Sequence, residues 1–290
     1  MSSAPRPVAL VTGASRGIGK ATAIDLAAAG FDVAVAARTA TDGTGRADAG
    51  HAVPGGLDTT VAQIEREGAA GLPVTMNLLD RASVLAAVDV TVARFGHIDV
   101  LVNNGIYQGS GVMARFDDLS DDEAQKLFEG NVFAQLALIR AVLPRMIERG
   151  NGTIVNLVSA AGVLRPPAPV GAGGWSVGYA MTKAAFGRVA PVLHVEYPEV
   201  RLFSVDPGLT LTERMVAAGN AGQYTAHFKP GTPDVIGRCI RWLATERTES
   251  EELRGSAVLA QQVVKERALM ERWPPPVTSD VSWAQTTDIT

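Results

Sequence analysis

Residues 7–30, PVALVTGASRGIGKATAIDLAAAG, constrain this chain more than any other stretch. A short apolar run ends in a glycine-spaced turn and passes directly into a segment of helical periodicity closed by Gly30, so the stretch reads as strand, turn and helix. Glycines at 13, 17 and 19 permit a tight turn and let the backbone approach a pyrophosphate, whose charge is met by the first turn of the following helix. A glycine triplet alone suits any flexible connection equally well, so the rest of the chain must decide.

The same alternation runs onward. FDVAVAAR is a second buried strand, 39–56 a long polar, glycine-rich loop, TTVAQIEREGAAG a helix and LPVTMNL a strand. RASVLAAVDVTVARFG and HIDVLVNNG repeat the pair. Ser120 with Glu123 fits a capping box opening one long helix that Gly150 ends. GTIVNLVS and VRLFSVDPG are further strands, with a helix carrying Tyr179 and Lys183 between them. Strands separated by helices of this length predict an α/β fold: a doubly wound parallel sheet with helices on both faces, Rossmann-like, in a single domain over 1–272. The residues 273–290, WPPPVTSDVSWAQTTDIT, have no periodicity and are expected to form a peripheral tail.

Composition removes several classes of function. With 47% hydrophobic and 19% charged residues, the 290-residue chain has the balance of a globular enzyme. A net charge of -4 without a long Lys/Arg run offers no footprint for nucleic acid. The histidines at 51, 97, 194 and 227 lack ligand-like spacing to one another or to Cys239, so no metal is expected. No secretory n-region or apolar run approaching ~18 residues is seen, so no membrane partner is expected. The single cysteine fits a reducing compartment, and a cytoplasmic location is the expectation.

Tyr179 and Lys183 share a helix face at i, i+4, close enough for an ammonium to favour a phenolate. Reducing a carbonyl by hydride builds negative charge on oxygen, which asks for a proton donor and a second hydrogen-bond donor. Tyr179 and Ser159 have that chemistry. Taken singly, Ser159 could equally be a turn-forming serine, Asn131 a buried helix residue bonding a carbonyl, and Tyr179 a core aromatic.

Six motifs in order favour the first reading. The GxxxGxG spacing of residues 13–19, LVNNG at 101–105, Asn131 in the long helix, Ser159 after IVNLV, YAMTK with Tyr179 and Lys183, and DPGLTLT with Pro207, Gly208 and Thr212 together resemble the classical short-chain dehydrogenase/reductase family over roughly residues 7–215. The resemblance implies an oxidoreductase moving a hydride between a nicotinamide cofactor and a ketone or secondary alcohol. Tyr179 would be its general acid/base, Lys183 would lower the Tyr179 pKa and hold the ribose, Ser159 would orient the carbonyl, and Asn131 would carry a relay water. It implies a cofactor groove made by Gly13, Ser15, Arg16, Gly17, Ile18, Gly19, Arg38, Asn77, Leu78, Asn104, Gly105, Tyr179, Lys183, Pro207, Gly208, Thr210 and Thr212. It also implies a homo-oligomer, dimer or tetramer, pairing through 120–149 and 179–197.

The end of the second strand bears on cofactor choice. Ala37 stands where NAD-preferring relatives often carry Asp, and Arg38 with Arg16 could clamp a 2′-phosphate, so NADP(H) is expected over NAD(H). Other positions depart from the family pattern. Asn77 stands for the usual aspartate, NNGI for NNAG, loops 39–56 and 163–178 are longer than usual, and no DGG signature follows Gly255. Met215, Tyr224 and Phe228 of a lid segment, with Trp175 and Tyr107, suggest an apolar carbonyl or alcohol substrate. Two other functions stay open at this level: a non-catalytic NADP(H)-binding sensor or interaction protein, and a nicotinamide-using epimerase or dehydratase.

Overall fold

The computed structural model describes residues 5–46, 52–219 and 221–271. The apolar runs form strands, and the periodic segments between them form helices. In chain order these are β1 (Val8–Thr12), α1 (Gly17–Ala28), β2 (Asp32–Ala37), α2 (Leu57–Arg66), β3 (Gly71–Thr75), α3 (Arg81–Phe95), β4 (Val100–Asn103), α4 (Asp121–Phe128) and α5 (Ala134–Glu148). They continue with β5 (Thr153–Leu157), α6 (Val177–Gly187), α7 (Val189–Glu196), β6 (Arg201–Asp206), α8 (Glu213–Ala217), α9 (Ala221–Thr225), α10 (Pro233–Thr245), β7 (Ala257–Leu259) and α11 (Ala260–Glu266).

All the strand pairs are parallel, in the order β3-β2-β1-β4-β5-β6-β7. Every residue of β1, β4, β5 and β6 is buried, as expected of strands covered by helices on both faces. One face packs Val11, Val33 and Phe203 under α1, α2, α10 and α11; the other packs Leu10, Leu101 and Leu202 under α3, α5, α6 and α7. The strand order reverses between β1 and β4, which opens a crevice at their C-terminal ends where open α/β sheets bind ligands.

Three details differ from the sequence reading. The long helix opened by Ser120 is interrupted by a π turn, Glu129–Phe133, between α4 and α5. The expected capping box is half formed: Ser120 Oγ accepts from Glu123 N at 3.3 Å, while the Glu123 carboxylate accepts from Gly111 N at 3.2 Å and from the Tyr107 hydroxyl at 3.3 Å. The helix expected over 179–197 breaks at Arg188, because Pro191 has no N–H to donate to the Gly187 carbonyl.

Helix α10 was not foreseen, although its signal is local. Thr232 is the N-cap, Pro233 holds the first turn, and Val235, Ile236, Cys239, Ile240 and Leu243 bury one stripe. This stripe lies against α1 so closely that a Cβ on Gly237 would sit 3.0 Å from the Ala21 backbone. The Asp121–Glu148 helix has the length and apolarity of a membrane span, but Leu138, Val142 and Met146 are buried against the sheet. The residues 273–290 lie outside the described residues.

Since α10 holds α1 on the sheet, emptying its stripe should loosen the glycine turn. Ile240→Ala is expected to cost about 2–5 kcal/mol in urea denaturation; a loss within experimental error would mean that α10 is not part of the cooperative core.

Candidate active site

Thr12 closes β1 and ties it to β4. Its Oγ1 donates to the Val102 carbonyl at 3.1 Å and accepts from Asn104 N and Gly105 N at 3.0 and 2.9 Å. The Asn104 amide returns a bond to the Thr12 carbonyl at 2.8 Å. The glycine turn is thus pressed against the end of β4, and a Cβ on Gly13, whose φ is +67°, would lie 2.7 Å from Gly105 Cα. A Cβ on Gly19 would lie 2.4 Å from the Gly13 carbonyl oxygen. Only glycine lets α1 start this close to the strand. The N–H of Gly17 opens α1 and donates to the Glu213 carboxylate of α8 at 2.9 Å. A carboxylate therefore rests on the anion-binding end of the helix.

At the far end of the crevice, Arg38 is exposed beside Ala37, while Arg16 is committed elsewhere. Its Nε and Nη2 donate to the carbonyls of Pro54 and Gly55, each at 2.8 Å, so Arg16 anchors the 39–56 loop. The two-guanidinium clamp is thus reduced to Arg38 in this conformation. Asn77 lines the crevice and its Oδ1 accepts from Leu79 N at 3.2 Å in a local turn, while Asp80 caps α3 through Ala82 N and Ser83 N.

The catalytic candidates converge at the other end. Ser176 caps α6 by accepting from Tyr179 N at 3.1 Å, which sets the start of the helix and the direction of Tyr179 and Lys183. The Tyr179 hydroxyl is hydrogen-bonded to Ser159, and Lys183 Nζ donates to the Leu157 carbonyl at 2.7 Å. The π turn places Asn131 beneath the site: its Oδ1 accepts from Tyr107 N at 2.6 Å, and its Nδ2 is buried without a hydrogen-bond partner among the described residues. π turns inside α-helices are frequent at functional sites.

The protonation states depart from the expectation. Burial pushes the Tyr179 phenol up to about 12, with the Asp206 charge adding to it and the Ser159 bond opposing it. Burial pushes Lys183 down to about 8 against the pull of Asp206. Lys183 therefore does not lower the phenol below its ordinary value here. Its Nζ lies 5.9 Å from the Tyr179 ring centroid and spends its hydrogen bond on Leu157.

One groove of about 280 Å³ is lined by Gly13, Ser15, Arg16, Gly17, Ile18, Arg38, Asn77, Leu78, Asn104, Gly105, Tyr179, Lys183, Pro207 and Thr212. Gly19, Gly208, Thr210, Asn131 and Ser159 do not line it. Gly19 supports the turn from behind, Ser159 and Asn131 adjoin it through Tyr179 and Tyr107, and Thr210 Oγ1 donates to the Pro207 carbonyl at 3.3 Å. Ile106, which replaces the usual glycine, lies on the groove wall. The lid meets the 163–178 insertion through the Trp175 and Phe228 rings, 6.3 Å apart, and reaches Met113 Sδ through the Tyr224 hydroxyl at 3.6 Å; none of these four residues lines the groove. Sequence reasoning missed Asp206, Glu213 and Gln261, whose Nε2 donates to the Pro207 carbonyl at 2.7 Å. Asp206 lies inside the quoted DPG motif and was legible as a charge there.

A family model described as short chain dehydrogenase matches residues 7–222. A 3-oxoacyl-(acyl-carrier-protein) reductase of Synechocystis is 30% identical over 252 residues, covering 85% of this chain and 92% of its own. An NADP-dependent 3-hydroxy acid dehydrogenase of Schizosaccharomyces pombe is 31% identical over 252 residues, with 82% and 86% covered. The crystal structure of a short-chain type dehydrogenase/reductase from Mycobacterium marinum has a TM-score of 0.72 at 26% identity, covering 88% of this chain and 94% of its own.

A pyrophosphate laid on the first turn of α1 would meet the Glu213 carboxylate already held by Gly17 N. Glu213→Gln is expected to tighten NADPH binding by about three- to tenfold in a fluorescence titration; weaker binding in the variant would show that the carboxylate supports the bound form instead.

Proposed function

Because this chain belongs to the short-chain dehydrogenase family of oxidoreductases, we propose that it is an NADP(H)-dependent enzyme reducing a ketone, or oxidising the matching secondary alcohol. The observation that carries this reading is the meeting of Ser159, Tyr179 and Lys183 at one end of a groove whose other end is the glycine turn. The glycine turn and the N-terminus of α1 fit a dinucleotide pyrophosphate: Gly13 and Gly19 let the turn close tightly on the end of β4, and Gly13, Ser15, Gly17 and Ile18 then line the groove at the start of the helix.

When bound, the nicotinamide cofactor supplies or takes up the hydride. The chain's own residues manage the oxygen. Ser159 and Tyr179 both donate to the carbonyl oxygen, and Tyr179 gives up its proton as negative charge builds there. A phenol raised to about 12 is fully protonated at neutral pH, the correct form for this step. Lys183 supports the phenolate left behind, and Asn131, with its buried unpartnered Nδ2, holds the relay water that returns the proton.

Ala37 and the exposed Arg38 support NADP(H), as does the NADP-dependent relative. The names of the relatives support a 3-oxo or 3-hydroxy acyl compound as substrate, and Tyr224 of the lid, close enough to act on Tyr179, adds an aromatic ring beside the site. Phe133, Val192 and Val195, exposed by 47%, 45% and 79%, support pairing through α5 and α7 into a homo-oligomer.

A panel of 3-oxoacyl thioesters and plain apolar ketones, read by NADPH oxidation, tests the reaction. Tyr179→Phe should lose about 10²- to 10⁴-fold in kcat while still binding NADPH; equal turnover in both proteins would remove Tyr179 as the acid. The kcat/KM ratio should favour NADPH over NADH, and Arg38→Ala should reduce that ratio by about tenfold or more; a wild-type preference for NADH would overturn the assignment. Val195→Asp should shift sedimentation toward monomer, and a wild type already monomeric would remove the pairing.

A further inference from the structure

Asp206 is a buried acid that the chemistry above leaves unused. It ends β6 on the face of the sheet that carries α6, and it is 5% exposed. Its Oδ1 accepts from Gly208 N at 2.9 Å, and the carboxylate also accepts from Ala160 N. These donors belong to the two turns that border the site: Ala160 follows Ser159, and Gly208 follows Pro207. Asp206 therefore ties both turns to the same strand end.

Lys183, also 5% exposed, is its neighbour in the fold without a direct ion pair: Nζ donates to the Leu157 carbonyl of β5 at 2.7 Å, and Leu157 pairs in register with Val205, the residue before Asp206. A buried ammonium whose hydrogen bond goes to a neutral carbonyl is pressed to lose its proton, and a buried carboxyl is pressed to gain one. Held near one another, each charge offsets the other's desolvation. Among the described residues, Asp206 is the charged group felt at Lys183, and Asp206 and the Tyr224 phenol of α9 are the titratable groups felt at Tyr179.

We propose that Asp206 is a positioning residue: as the counter-charge of Lys183 it keeps that side chain an ammonium on the Leu157 carbonyl, and through Ala160 and Gly208 it fixes the turns that carry Ser159 and Pro207. The inference rests on the assignment of Tyr179 and Lys183 made above. Tyr179 feels the Asp206 charge, which adds to burial in keeping the phenol protonated at rest. Burial and Asp206 together hold Lys183 at about 8. The ammonium is thus present below that pH and lost above it, and removing Asp206 moves the loss to lower pH.

The test compares wild type, Asp206→Asn and Asp206→Glu over about pH 5 to 10, using NADPH and a ketone that the wild type reduces. In parallel, the Lys183 Cε resonance is titrated by NMR in ¹³C-lysine-labelled protein, assigned with Lys183→Arg. Asp206→Asn should bring the high-pH limb of kcat and the Lys183 midpoint down together by about one to three pH units. Asp206→Glu, which keeps the charge on a longer arm, should keep the midpoint and lower kcat. A limb and midpoint unmoved in Asp206→Asn, with kcat lowered equally at every pH, would reduce Asp206 to a turn-holding residue and overturn the proposal. Should Asp206→Asn fail to fold, Lys183→Met decides: the Asp206 carboxyl should then take up its proton at a higher pH than in the wild type, and a midpoint that does not rise overturns the pairing. A wild type that reduces no ketone fails the proposed function, while the two NMR titrations still read the charge pair.

Discussion

The lock between Thr12 and the end of β4 is the constraint on which the site depends. One hydroxyl donates to Val102 and accepts from Asn104 and Gly105, and the Asn104 amide closes the circuit on the Thr12 carbonyl. The sheet must part here, since the connections after β1 and β4 leave in opposite directions. Parting buried strands exposes backbone groups, and each one left without a partner costs about 1–3 kcal/mol. Thr12 and Asn104 satisfy them while leaving room for a ligand, and that is why Gly13 can approach Gly105 so closely. The α1–α10 packing acts on the same place from behind, holding the helix whose first N–H groups face the groove.

From that frame, burial sets the chemistry. Lys183 and Asp206 are buried and Tyr179 is half-buried on the groove, and each is driven toward its neutral form: the phenol up to about 12, the ammonium down to about 8, the carboxyl up. Opposite charges resist the drift for Lys183 and Asp206, while for Tyr179 the Asp206 charge reinforces it. The i, i+4 spacing of Tyr179 and Lys183 suggested a direct depression of the phenol, and the structure shows why spacing alone misleads. A helix face brings two side chains together, but desolvation by the surrounding elements can outweigh their interaction.

The polypeptide also meets its own groove. Glu213 rests on Gly17, Arg16 is spent on the 39–56 loop, and the lid reaches the insertion through Trp175 and Phe228. Each of these contacts joins residues whose partners lie in segments of unusual length or composition. They turn departures from the family pattern into walls and latches of a single site.

The alternation of strands and helices up to β6 and the glycine turn were legible from residues alone, because apolar periodicity and the steric demands of glycine act over a few neighbours. Gly13, Ser159, Tyr179 and Lys183 could be named for the same reason: each stands in a short motif whose chemistry is local. The helix at 233–245 was equally local and was passed over. The π turn under Asn131 was not legible, since its helix reads as continuous apolar periodicity on either side. What tertiary structure alone decided is which charges meet. Gly17 and Glu213 are 196 residues apart in sequence, and Lys183 and Asp206 lie on different elements, one on α6 and the other at the end of β6 beneath it. Sequence determined the donors and acceptors; folding determined their dielectric surroundings and their partners, because desolvation and Coulomb attraction depend on distances in space that no spacing along the chain records.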